Sequence, residues 1–137
     1  MRIVQFTVAG KPLAKGRIRF TNKGHAFTPP RTVAYEGQLA AAAQTAMNGR
    51  PPVDEAVAVT LEVHMPIATS WPLHKRIAAE KGQIRPTGRP DLDNFAKMLD
   101  ALNMIVWNDD SQIVELTVFK RYSLFPQMAI TVDSIDA

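Results

Sequence analysis

Residues 89–116 read RPDLDNFAKMLDALNMIVWNDDSQIVEL, and this stretch decides the fold. Pro90 disfavours helix in the residue before it, so a helix starts only after Asp91. Phe95, Met98, Leu99 and Leu102 then recur at helical spacing, with Asp93 or Asn94 suited to the N-cap. Asn108-Asp109-Asp110-Ser111 is a turn, and 112–122 alternates as a strand. Downstream, 127–133 forms another strand beyond a turn near Pro126. Upstream, 82–90 is loop by composition, 73–81 a short helix after Pro72, and 56–65 a strand rich in β-branched residues. Residues 31–48 predict an Ala-rich helix with Val33, Leu39, Ala43 and Met47 as its buried stripe, stopped by Asn48-Gly49. The hairpin expected over 17–20 and 25–28 turns at Asn22-Lys23-Gly24, and 2–9 alternates as a first strand. Together these predict a single α+β domain over 1–137, a mixed β-sheet with helices packed on it.

The 137 residues suit one core, and the apolar fraction of 46% with 21% charged residues is that of a soluble globular chain. No 18-residue apolar run occurs, so no membrane span is expected, and the N-terminus lacks a signal-peptide pattern. Cysteine is absent, which excludes disulfides, thiol nucleophiles and Cys-ligated zinc and fits a cytoplasmic location. The net charge of +3 is unevenly spread. Residues 1–90 carry 13 Lys/Arg and 5 Asp/Glu, whereas 91–137 carry 3 and 8. A basic segment attracts a polyanion, and a compact acidic cluster holds a cation that acts on phosphate; the same polarity also describes an ordinary solvated surface.

The acidic cluster admits two readings. In an extended entry, Asp91 and Asp93 leave the backbone on one side, and Lys97 lies one helical turn beyond Asp93. Asp100, three residues after Lys97, is placed to pair with it. Hard carboxylate ligands without His or Cys favour Mg²⁺, with Mn²⁺ as a substitute, and a nearby Lys stabilises charge on phosphate oxygens. Equally, Asp93 is a cap, Asp91 a group favoured by the helix N-terminus, and Asp109 and Asp110 turn residues. A helix about 15 Å long separates the two acidic clusters, so the chain must fold back, or a second subunit must help, for them to meet.

The blocks Pro90-Asp91-Leu92-Asp93-Asn94 with Lys97, Asp100-Ala101-Leu102-Asn103, and Trp107-Asn108-Asp109-Asp110-Ser111-Gln112-Ile113-Val114 resemble the RusA family of Holliday junction resolvases. The close agreement covers about 25 residues and extends loosely to the N-terminal strand and the strand ending in His64-Met65-Pro66. The resemblance implies a RusA-like fold and a homodimeric, Mg²⁺-dependent endodeoxyribonuclease of phage or prophage origin. Such an enzyme resolves four-way DNA junctions by paired phosphodiester hydrolysis, in recombination and repair, without a small-molecule cofactor. By position, Asp91, Asp93 and Asp110 match the family's metal-binding carboxylates and Lys97 its catalytic lysine, with Asp100 and Asp109 in support. The dense Arg run that some members carry before the first Asp is thinned here to Arg85 and Arg89.

Lys11, Lys15, Arg17, Arg19, Lys23, Arg85 and Arg89 are the candidate DNA-phosphate contacts. Phe20 reads as core, with a wedge into the junction as the alternative; Trp71 and Trp107 read as core or interface anchors, and His25, His64 and His74 show no ligand spacing. A two-fold dimer would match the near two-fold symmetry of a four-way junction. The alternatives are a non-catalytic branched-DNA-binding module and a metal-dependent hydrolase of small phosphates.

Overall fold

The computed structural model describes residues 1–16 and 18–135. Among these residues, six strands and three α-helices follow in order: β1 (Arg2–Ala9), β2 (Arg19–Phe20), β3 (Ala26–Phe27), α1 (Pro30–Met47), β4 (Val57–Pro66), α2 (Leu73–Glu80), α3 (Leu92–Ala96), β5 (Ile113–Ser123) and β6 (Gln127–Ser134). Short 3-10 segments, Lys97–Leu102 and Asp110–Gln112, flank the turn before β5. The main sheet has the order β1-β6-β4-β5, with β6 antiparallel to both of its neighbours and β4 parallel to β5. The two-strand hairpin β2–β3 stands apart from it. This is the expected α+β domain with a mixed sheet.

Alternation along β1, β4 and β6 turns Val4, Phe6, Val8, Val57, Val59, Leu61, Val63, Met128, Ile130 and Val132 into one buried face. Helix α1 and the 3-10 segment pack on that face. Asn48 ends α1 in the left-handed conformation at φ 50°, and Gly49 continues at φ 81°, as the Asn-Gly stop predicts. The stripe of α1 differs from the expected one. Thr32, Tyr35, Leu39, Ala43 and Met47 are buried, while Val33 is 55% exposed. Thr32 and Tyr35 carry hydroxyls but enough apolar surface to take the inner face, which turns Val33 outward.

Helix α3 also differs from its prediction. Its N-cap is Asp91 rather than Asp93 or Asn94: the Asp91 carbonyl accepts from Asn94 N at 3.1 Å, and no side chain caps the helix. Its α-helical part stops after Ala96, and the tighter segment that follows buries Met98, Leu99 and Leu102. With three residues per turn, Leu99 and Leu102 fall on one side.

Leu39→Ala, at a fully buried site, is expected to cost about 2–5 kcal/mol in urea unfolding, and Val33→Ala to stay within about 0.5 kcal/mol. Equal losses at both positions would contradict the observed stripe.

Candidate nucleic-acid interface and carboxylate site

Glycine and threonine set the local geometry around the start of α3. The segment between β1 and the hairpin lies over α3, where Lys15 N donates to Asn94 O at 3.0 Å. Gly16 N donates to Thr32 Oγ1 at 3.1 Å, and a Cβ at Gly16 would sit 2.9 Å from that oxygen, so a larger residue would have to push the Thr32 hydroxyl aside. Lys15 Nζ pairs with Asp100 Oδ2, a contact between residues far apart in sequence. Asp100 therefore bonds Lys15 and not Lys97, because the segment crossing α3 reaches it first. Lys97 Nζ instead donates to Asn94 Oδ1 at 3.1 Å.

This packing leaves a cleft of about 770 Å³ whose lining includes Lys15, Arg19, Arg31, Arg89, Asp91 and Asn94. Lys97 borders a second hollow with Lys15 and Asn94. Asp91 and Asp93 are exposed, and their carboxylates accept no hydrogen bond and join no ion pair among the described residues. The free Asp91 carboxylate shares the cleft with Arg19, Arg31 and Arg89, and Asp93 two residues on is also unpaired, which leaves hard oxygen donors open to a cation and positive charge open to phosphate.

Asp110 lies elsewhere. Gln112 fixes the turn that carries it: its Oε1 accepts from Asn108 N and Asp109 N, both at 2.9 Å, and its Nε2 donates to Val53 O at 3.0 Å and Glu55 O at 2.9 Å. All four hydrogen-bonding positions of the amide are thereby used. Trp107, fully buried, anchors the other side of the turn and donates from Nε1 to Asn103 Oδ1 at 2.8 Å. Asp109 is consumed as the N-cap of the 3-10 turn, accepting from Ser111 N at 3.3 Å. Hydrogen bonds from the Ser111 side chain and backbone hold its carboxyl below the usual carboxylate range. Asp110 is exposed, and it is the member of the pair not spent on capping.

Two routes measure the gap between the acidic groups. Lys120 Nζ donates to Pro90 O at 2.8 Å, which sets Asp91 beside the far half of β5. From Lys120 back to Ile113 the strand rises about 23 Å. The helical path from Leu92 to Leu102 runs about 20 Å the other way. Among the described residues, no three His, Cys, Asp or Glu side chains come together as a metal-holding group. One chain thus offers Asp91 and Asp93 at one end and Asp110 at the other.

The family model for the endodeoxyribonuclease RusA matches residues 9–133. The chain belongs to the RusA family. It is also 35% identical over 145 aligned positions, covering 100% of both chains, to the uncharacterized protein YqaN of Bacillus subtilis (strain 168). RusA membership supports a nuclease, and no helix among the described residues is long and apolar enough to cross a membrane.

The structure separates the remaining expected residues. Lys11, Lys23, Arg85 and Arg89 are exposed, Lys23 at the hairpin turn, and Arg17 lies outside the described residues. Phe20 is 70% exposed rather than core, because the two-strand hairpin packs no second layer over it. Trp71 is not a core anchor either: it meets the Tyr122 ring edge-on at 5.4 Å, with Lys75 Nζ 4.0 Å from its centre. His64 sits 3.7 Å from Glu62, away from the cleft. Arg31 and Lys120 escaped the sequence reading. A cation in the first turn of α1, where the helix end disfavours it, and a lysine in phase with Leu116, Val118 and Tyr122 are the signals that mark them.

Gln112→Ala leaves four polar groups without partners and is expected to cost about 1–3 kcal/mol in urea unfolding. A loss below about 0.5 kcal/mol would mean that the turn holds without it. The sign of the Asp109 linkage follows from its lowered pKa. Its contribution is full above the ordinary carboxylate value and fades as pH falls through the folded value. Ser111→Ala is expected to raise the Asp109 midpoint in a carboxyl NMR titration; an unchanged midpoint would remove the Ser111 hydroxyl as a cause and leave the backbone bond.

Proposed function

We propose that the chain is a Mg²⁺-dependent, structure-selective endodeoxyribonuclease that resolves four-way DNA junctions as a homodimer. The observation that carries this reading is the unpartnered carboxylate of Asp91 in the lining of a cleft shared with Lys15, Arg19, Arg31 and Arg89, with the equally unpartnered Asp93 two residues on. RusA family membership supports it. The basic residues bind the sugar-phosphate backbone, and the carboxylates hold the cation. Asp91 and Asp93 of one subunit and Asp110 of its partner are the assigned ligands, with Mn²⁺ as a substitute ion. When bound, the cation polarises the scissile phosphate and lowers the pKa of a water. Lys97, one helical turn from Asp93, neutralises charge that builds on the phosphate oxygens. Lys15 is paired with Asp100 and acts by holding its segment against α3, so phosphate contact falls chiefly to Arg19, Arg31, Arg85 and Arg89, with Lys11 and Lys23 further out.

A dimeric site follows from the distance of about 20 Å that separates Asp91 from Asp110 within one chain. Two copies related by a two-fold axis present each Asp110 to the other's Asp91 and Asp93, which gives two equivalent sites for two matched strands. Cleavage in recombination and repair, by a protein of prophage origin, is the setting this reading fits.

Asp91→Asn and Asp110→Asn are each expected to abolish Mg²⁺-dependent cleavage of a synthetic four-way junction while junction binding persists. Mixing the two inactive proteins with subunit exchange regenerates one intact site per heterodimer, so nicking of one strand returns. If the mixture stays inactive while the wild type cuts, the shared site is wrong. If the wild type binds branched DNA but never cuts it in Mg²⁺ or Mn²⁺, the chain is a binding module instead.

A further inference from the structure

Lys120 has an unusual place for a lysine. It lies on the edge strand β5, register partner of the fully buried Val63, and shares its side of the sheet with Leu116, Val118 and Tyr122. A lysine on an edge strand ordinarily turns its ammonium to water. Here Nζ donates to Gly88 O at 2.7 Å and to Pro90 O at 2.8 Å. Those two carbonyls flank Arg89, which lines the cleft, and the second belongs to the residue immediately before Asp91. Among the described residues, no carboxylate pairs with this ammonium.

We infer that Lys120 is a positioning residue for the cleavage reaction, clamping the 82–90 loop so that Arg89 and Asp91 hold a fixed place relative to β5. The inference rests on the nuclease reading above. It adds a reason for a charged group at this point. Two charge-assisted bonds to carbonyls fix a loop with little regular structure of its own more firmly than apolar contact would. Because β5 begins just after Asp110, the same clamp also sets the spacing between Asp91 and Asp110 that the dimer must match. Lys120 touches neither phosphate nor cation in this role. It acts through the backbone on both sides of Arg89.

Lys120→Met keeps the length and apolar stem but removes the donors, and Lys120→Arg keeps the charge and at least two donors. Hydrogen exchange over residues 82–91 is the first readout. Lys120→Met is expected to speed exchange there about tenfold or more, with the rest of the sheet unchanged. In junction cleavage, kcat is expected to fall about tenfold or more for Lys120→Met, while junction affinity measured in Ca²⁺ stays within about twofold. Lys120→Arg restores both readouts to near wild type. Wild-type exchange over 82–91 in the Met variant overturns the clamp, whatever the enzyme does. Faster exchange with unchanged kcat overturns its bearing on cleavage. If the Met variant unfolds, Lys120→Gln carries the same measurements with a single neutral donor group. A wild-type protein that never cuts junctions sinks the nuclease reading, and the exchange experiment then still decides whether Lys120 holds the loop.

Discussion

Parallel pairing of β4 with β5 constrains everything between them. Two antiparallel strands can be joined by a tight turn, but a parallel neighbour forces the chain back to the end where it started. The return path, residues 67–112, contains α2, the 82–90 loop, α3, both 3-10 segments and the Trp107–Gln112 turn. Every carboxylate of the candidate site lies on that path or at its close. It runs past the end of β5 at Lys120 and comes back to the start of β5 at Asp110. The separation of the acidic groups therefore comes from the length of β5. Local flexibility of the turn cannot remove it.

The return path is fixed at three points of different chemistry. Apolar burial of Phe95, Met98, Leu99 and Leu102 holds the middle against the sheet. The Gln112 amide ties the final turn to the chain entering β4 through the Val53 and Glu55 carbonyls. The Lys120 ammonium ties the approach to α3. A fourth tie comes from outside the path: Lys15 reaches Asp100 and Asn94, which joins the basic N-terminal segment to the helix carrying Asp93. Charged groups of the cleft are thus held from both halves of the chain, although the two halves differ sharply in net charge.

Much of the fold was legible because alternation and Ala-rich periodicity report burial directly. β1, β4, β5, β6 and α1 all appear within two residues of where the pattern puts them. The pattern missed features that depend on contacts far apart in sequence. Counting apolar types chose Val33 over Thr32 and Tyr35, because a letter code hides the apolar surface of a hydroxylated side chain. The strand pattern around Phe20 predicts a core residue, and only the lack of a covering layer leaves it exposed. The partner of Asp100 lies 85 residues away, beyond any local rule. Asp91, Asp93, Asp110 and Lys97 come together as a set only through the resemblance to the RusA family, because their local spacing equally admits caps and turns. Their three-dimensional separation was anticipated only as a problem of helix length.

The bulge at Val114, where the β4–β5 register shifts between Val57 and Ala58, breaks the outer edge of the sheet. An uncovered strand edge presents a ladder of backbone donors and acceptors on which any extended peptide can polymerise. Here that ladder starts out of step beside an exposed Val114, passes Glu115, and is charged again at Lys120 and Arg121. Those interruptions leave only a short uncharged run, 116–119, open to a foreign strand. Continuous edge-to-edge growth is thereby disfavoured, even though β5 has no strand on its outer side among the described residues.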